Sequence, residues 1–280
     1  MYNRQDKSVK RAFITFSEGD EYNKICEVLK KSIEIFSEYP LVVYSKKDFN
    51  IDMSSPDFWK DGRNHILKIL SCIKSLEDYD EVVWIDSDCI ATNYIDKIWF
   101  ETWRLKKFPL LPKYRFSLFG KNIENVEPPM QDQIRTILQK SEVKAQIPHT
   151  DRVFYSQACF MLFNKSCLDF FKLTEYYFKS YDPYKFPYRI FEHGAFGDES
   201  IINYLFWKNN YIDNLGEIFT CSHFFDLTAF SLCNNREQFM NAFTIRPEVN
   251  CFENILFVHG TKSVDRISGI LNNLISTRIL

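Results

Sequence analysis

The stretch YDEVVWIDSDCIA, residues 79–91, drives a β-type apolar run, Val82-Val83-Trp84-Ile85, into Asp86 and Asp88. Crowding two like charges at the end of a buried strand gains nothing for folding. Side chains at i and i+2 of an extended segment point the same way, so the carboxylates are expected to converge and to need a cation. A hard divalent cation such as Mn2+ or Mg2+ prefers oxygen ligands of this kind and can bind a diphosphate at the same time. The plain alternative is a strand end with solvated turn aspartates. An apolar strand running directly into the pair favours the metal.

Two other places carry chemistry. Ile255-Leu256-Phe257-Val258 reads as a strand ending in His259 and Gly260, with Lys262 two residues on. An imidazole can complete a coordination sphere, a glycine lets backbone approach a ligand, and an ammonium can hold a phosphate. A capping histidine beside an ordinary surface lysine fits equally well. Gly197-Asp198-Glu199-Ser200 opens a helix over 199–208. Asp198 suits an N-cap, and acidic residues favour a helix N-terminus. The same pair could hold sugar hydroxyls or stabilise a cationic carbon centre, and the two roles are compatible. The stretch YDPYKFPYRIFEHG, 181–194, interleaves aromatics with Lys185 and Arg189. It reads as a packed surface loop, or as stacking faces for sugars beside cations for phosphates.

The elements that must position these groups alternate strand and helix. Ala12–Phe16 reads as a buried strand, followed by a helix whose apolar positions are Tyr22, Ile25, Cys26, Leu29, Ile33 and Phe36. Leu41–Tyr44 is the next strand. A helix marked by Ile66, Ile69, Leu70, Ile73 and Leu76 then leads into Val82–Ile85. This order predicts an α/β fold with a mostly parallel, doubly wound sheet flanked by helices. Ligands of such sheets bind beyond the carboxyl ends of the strands, where Asp86 and Asp88 fall. Residues 112–133 read as a long loop, Cys159–Phe163 as a strand, and 166–179 as a helix. An amphipathic helix carrying Val264, Ile267, Leu271, Leu274 and Ile275 closes the chain.

Composition narrows the class. With 280 residues, 45% of them hydrophobic, the chain suits one large domain with a C-terminal elaboration. A net charge of −2 leaves no basic footprint for nucleic acid. The eight cysteines form no Cys-x-x-Cys pair and several fall in apolar patterns, so they read as reduced, mostly buried thiols of a cytoplasmic protein. The polar N-terminus lacks the apolar region of a signal peptide, and no apolar run reaches the length of a membrane span. Peripheral membrane contact through a basic or aromatic patch stays open.

The order of these motifs resembles the GT-A nucleotide-sugar glycosyltransferases: apolar strand and Asp86-Ser87-Asp88, then Asp198-Glu199-Ser200-Ile201-Ile202-Asn203, then strand and His259-Gly260-Thr261-Lys262. In pattern it is similar to the retaining glycogenin-like and bacterial lipooligosaccharide galactosyltransferase group. The Asp198–Asn203 segment is also similar to the matching motif of the blood-group transferases. The resemblance spans roughly residues 11–263, although His259–Lys262 is more compact than the His-x-x-Gly-x-x-Lys-Pro-Trp usual in the group.

This resemblance implies a GT-A-like single domain over 1–280. Its nucleotide-binding half would take about 11–110, its acceptor and sugar half about 111–263, and its C-terminal helix 264–280. It implies a metal-dependent, retaining hexosyltransferase that uses a nucleotide-diphosphate sugar, a UDP-sugar, with Mn2+ or Mg2+. The acceptor stays open between a glycan, a lipid-linked and a protein hydroxyl. Asp88 would bind the metal, Asp86 the metal and the ribose, and His259 the metal. Lys262 would contact the diphosphate, Lys68 in HILKIL would be a basic donor-binding residue, and Thr15-Phe16-Ser17 would face the base. Asp198 and Glu199 would lie beside the transferred sugar, and Gln157 in the donor-sugar loop.

Rival readings exist. A haloacid dehalogenase-type phosphohydrolase also places Asp-x-Asp after a strand. Its pattern usually continues with Thr or Val where this chain has Ile90, and its aspartates follow the first strand rather than the third. A catalytically inactive sugar-binding module of the same fold is the other. A sugar-nucleotide pyrophosphorylase fits less well, because no Gly-rich loop with a basic residue follows the first strand.

Overall fold

β1 (Arg11–Phe16), α1 (Asp20–Phe36), β2 (Leu41–Tyr44), α2 (Ile66–Asp78) and β3 (Glu81–Ile85) follow one another along the chain. They continue into β4 (Cys89–Ala91), β5 (Lys113–Ser117), β6 (Phe154–Ser156) and β7 (Phe160–Asn164). The helices α3 (Leu168–Ser180) and α4 (Asp198–Lys208) and the strand β8 (Phe257–His259) complete the order. This computed structural model describes residues 8–52, 54, 63–91, 93–111, 113–117, 154–156, 158–180, 197–209, 211, 213, 215 and 257–259, with 264, 265, 268, 269, 271 and 272.

The main sheet runs β2-β1-β3-β7. β1 is parallel to both neighbours, with Ile14 opposite Val42 on one side and Trp84 on the other. β7 is antiparallel to β3, pairing Ile85 with Phe160. The architecture is therefore the mixed, mostly parallel α/β sheet that the strand–helix alternation predicts.

Alternation along each strand divides the core in two. Ala12, Ile14, Val82, Trp84, Met161 and Phe163 pack with the α2, α3 and α4 side chains. Phe13, Val83, Ile85, Phe160 and Leu162 pack with Ile25, Leu29 and Ile33 of α1. The helices thus lie on opposite faces. The chain moves from β1 outward to β2, then returns past β1 to β3, so its winding reverses between the carboxyl ends of β1 and β3. A ligand crevice opens at such a reversal. Thr15–Ser17 and Asp86–Asp88 flank it.

Local chemistry holds the entry and exit of this crevice. Gly19 has φ of +91°, a backbone conformation that side chains disfavour, and it starts α1 directly after β1. Buried Ser32 donates to Leu29 O (2.7 Å) and accepts from Ala91 N (2.9 Å), which ties α1 to β4. Cys26, Cys72, Cys89, Cys159 and Cys167 are buried free thiols. Among the described residues no helix is long and apolar enough to cross a membrane.

The structure departs from the sequence reading in places. Tyr22 is 41% exposed, so it leaves the inner stripe of α1. Residues 113–117, read as loop, form β5 against β6. The alternating Lys-Tyr-Arg-Phe-Ser pattern there is too short to separate from loop by periodicity. β8 pairs with β4 in a separate two-stranded ribbon, and residues 255 and 256 lie outside the described residues. Of the closing helix, the described residues from 264 to 272 are helical, with Leu271 buried. Residues 181–196 lie outside the described residues.

Candidate functional site

β3 stops at Ile85, and the next residues turn: Cys89 N donates to Asp86 O at 3.0 Å. Asp86 and Asp88 therefore sit in a turn, not on an extended strand, and strand alternation does not set their relative direction. The physical reason is the reversal into β4, which must run antiparallel to β8. Asp86 N donates to Cys159 O (2.9 Å), so the turn is pinned to the residue preceding β7. The indole Nε1 of Trp84 donates to Asp86 Oδ1 at 2.6 Å.

Lys68 projects from α2 into the centre of the site. Its Nζ lies 2.9 Å from Asp86 Oδ1 and 2.7 Å from Asp198 Oδ2, and it donates to Ala158 O at 3.0 Å. Ala158 O takes a hydrogen bond from the ammonium nitrogen, Asp86 and Asp198 form ion pairs with it, and the buried Asp198 Oδ2 has no partner of hydrogen-bond geometry among the described residues. The same nitrogen stands 5.4 Å from the centre of the Trp84 ring, a cation–π distance. The Lys68 and Asp198 side chains are only 12% and 4% exposed. Burial opposes the charged form of both groups. The mutual attraction, with Asp86 and His65 adding to it, still raises the Lys68 pKa above the ordinary lysine value and lowers that of Asp198 below the carboxylate range. Lys68 thus holds two carboxylates in place.

His65 belongs to the site as well, and sequence reasoning missed it. Its Nδ1 lies 2.8 Å from Asp198 Oδ1, and the side chain is 41% exposed. A carboxylate only accepts, so Nδ1 is the donor in this pair. The missed signal was spacing: His65 and Lys68 are three residues apart, which places them on one face of a helix.

Asp198 does not cap α4. Gly197 occupies the N-cap position in extended conformation, with no side-chain cap bond, and Asp198 is the first helical residue. Its carboxylate turns to Lys68 and His65, because a buried ammonium is the stronger partner. Glu199 Oε2 accepts from Ala158 N at 3.0 Å. Asn203, one turn further, accepts from Ser156 N (2.7 Å) and donates to Ser156 O (2.7 Å) and Glu199 O (2.8 Å). Glu199 and Asn203 of α4 therefore clamp the chain on both sides of position 157. Gln157 itself lies outside the described residues.

On the other flank of the crevice, Thr15 is fully buried and its Oγ1 has no hydrogen-bond partner among the described residues. Ser17 is buried and donates to Asn23 Oδ1 at 2.7 Å. The Phe16 ring lies 6.3 Å from that of Phe49. Across the Asp86 turn, the β4–β8 register sets the Cα of His259 opposite that of Cys89, next to Asp88. The His259 side chain and Lys262 lie outside the described residues. Among the described residues no group of three or more His, Cys, Asp or Glu side chains is placed to hold a metal ion.

No protein-family model and no curated protein matches this sequence. Solved structures do. An active-site mutant of LgtC aligns with a TM-score of 0.52 and 16% identity, over 93% of this chain and 95% of that one. The galactosyltransferase LgtC in complex with donor and acceptor sugar analogs aligns at 0.47 and 15% identity, over 93% and 95%. The bifunctional glycosyltransferase WbbM in its apo form gives 0.50 and 13%, covering 100% of this chain and 53% of that one. The first and third alignments establish a shared fold, the GT-A-like α/β sheet flanked by helices.

Proposed function

We propose that this chain is a metal-dependent glycosyltransferase that moves a hexose from a nucleotide-diphosphate sugar to a hydroxyl acceptor with retention. The observation that carries the reading is the Lys68 bridge between Asp86 and Asp198. It joins the turn after β3 to the acidic start of α4 at the point where the sheet winding reverses. The fold shared with LgtC and WbbM supports the same reading.

Each group then has a role. Thr15, whose buried hydroxyl has no partner among the described residues, and Phe16 and Ser17 beside it would receive the base. Asp198 is held anionic by Lys68 and His65, as a group facing a cationic anomeric centre must be. Glu199 would fix the donor-sugar loop through Ala158 N and keep the carboxylate near the sugar. In transfer the anomeric C–O bond to the diphosphate breaks and the nucleoside diphosphate leaves with the electron pair. The acceptor oxygen forms the new C–O bond on the same face, and its proton would pass to the departing diphosphate oxygen.

The donor set fits a hard cation, since Asp86 and Asp88 offer oxygen and His259 is placed by register beside them. These three residues would hold Mn2+ or Mg2+, which would offset the charge growing on the leaving diphosphate, with Lys262 as a further diphosphate contact. A cytoplasmic location goes with this reading, as does a donor of the UDP-sugar class.

A thermal-shift measurement tests the metal site. Mn2+ with UDP should raise the melting temperature, because a ligand that binds only the folded chain stabilises it. Asp88→Asn should abolish that rise. An equal rise in the variant would contradict the assignment.

A further inference from the structure

Ile95–Arg104 is a ten-residue 3-10 helix with Tyr94 at its N-cap. In 3-10 geometry, side chains three residues apart eclipse one another and form straight columns. One column here is exposed at every member: Tyr94 (40%), Lys97, Phe100 (45%) and Trp103 (81%). Exposed Lys106 and Lys107 follow directly. The opposite side is anchored. Ile95, Asp96, Ile98 and Trp99 are buried, and Asp96 accepts from Ser37 Oγ (2.6 Å) and Glu38 N (2.8 Å). The Trp99 ring lies 5.3 Å from that of Phe13 and 5.4 Å from that of Tyr39. The outer aromatics are thus presented on a fixed support.

Among the described residues the column itself carries lysine and no acid. Of the acids in the segment, Asp96 is buried, and Glu101 accepts from Arg104 Nη1 at 2.6 Å. Arg104 also donates to Asp213 (3.0 Å), and Lys106 lies 4.0 Å from the same carboxylate while staying 76% exposed. What faces outward is aromatic surface interleaved with lysine. Protein interfaces favour arginine and are depleted in lysine. Tryptophan and tyrosine with lysine are the composition that settles at a bilayer interface, where the rings sit at headgroup level and the ammonium groups meet anionic lipid.

We propose that the column Tyr94–Lys97–Phe100–Trp103, with Lys106 and Lys107, docks the protein on an anionic membrane surface. The inference is independent of the sugar-transfer reading.

Co-sedimentation with vesicles tests it. The full chain should bind phosphatidylcholine vesicles containing phosphatidylglycerol, bind pure phosphatidylcholine poorly, and release as salt is raised. Replacing Lys97, Lys106 and Lys107 together by Gln should weaken binding roughly a hundredfold. Phe100→Ala with Trp103→Ala should weaken it about tenfold or more. Both variants should melt like the wild type, since the side chains changed are exposed. Undiminished binding by both variants would overturn the proposal. So would a wild type that ignores anionic vesicles at low salt, including one that instead forms a dimer dissolved by Trp103→Ala.

Discussion

Lys68→Met should destabilise the protein by about 3–5 kcal/mol, measured by urea unfolding at neutral pH, the scale for breaking a buried ion pair from one side. The change leaves Asp198 buried without its main counter-charge, and removes the cation that separates it from Asp86. Adding Asp198→Asn in the same chain should restore much of the loss, because the stranded charge is gone. The pH dependence follows from the shifts. Asp198 has a lowered folded pKa, so its contribution is present above the ordinary carboxylate value near ~4 and fades as pH falls through the depressed one. Lys68 has a raised folded pKa, so its contribution is present below ~10 and fades as pH rises through the elevated one. In Lys68→Met, burial raises Asp198 instead, and the deficit against wild type should shrink on acidification. A deficit that stays constant down to pH ~3 would show that the pair is not what stabilises this corner.

The second large effect is on rate. Asp198→Asn should lower turnover by roughly a hundredfold or more, the scale of one lost electrostatic contact to a transition state. Shape is nearly kept, and Lys68 retains Asp86 and Ala158 O as partners. Glu199→Gln is the cleaner companion, since the amide oxygen can still accept from Ala158 N and leave the loop in place. Its turnover should fall more than its donor affinity. His65→Ala should fall less than Asp198→Asn, because Lys68 still orients the carboxylate. Wild-type turnover in both amide variants would mean that the acidic pair serves structure alone. The anomeric configuration of the product, read by NMR, checks retention.

Much of this was legible in residue order. The helices α1 and α2 stand clear because each buries one apolar stripe, and β1 and β3 because burial on both faces makes each a continuous apolar run. Asp86, Asp198 and Glu199 could be singled out since charged side chains at the ends of apolar runs need an explanation. What they touch could not be read. Asp198 passes for an N-cap until Lys68 and His65, distant in sequence, are seen around it. Lys68 shows no partner in the sequence, and the structure sets its ammonium between Asp86 and Asp198. Likewise, the turn at Asp86–Cys89 is imposed by pairing between β4 and β8, a long-range contact with no local signal. β5 failed to register for the related reason that its partner, β6, lies far along the chain.

The most direct test of sugar transfer is release of nucleoside diphosphate from a panel of nucleotide-diphosphate sugars in the presence of Mn2+. The account predicts slow release with water alone, faster release when a suitable hydroxyl acceptor is supplied, and near-complete loss of both in Asp198→Asn. Hydrolysis of simple phosphate monoesters with a phosphoryl group covalently held on Asp86 would contradict it.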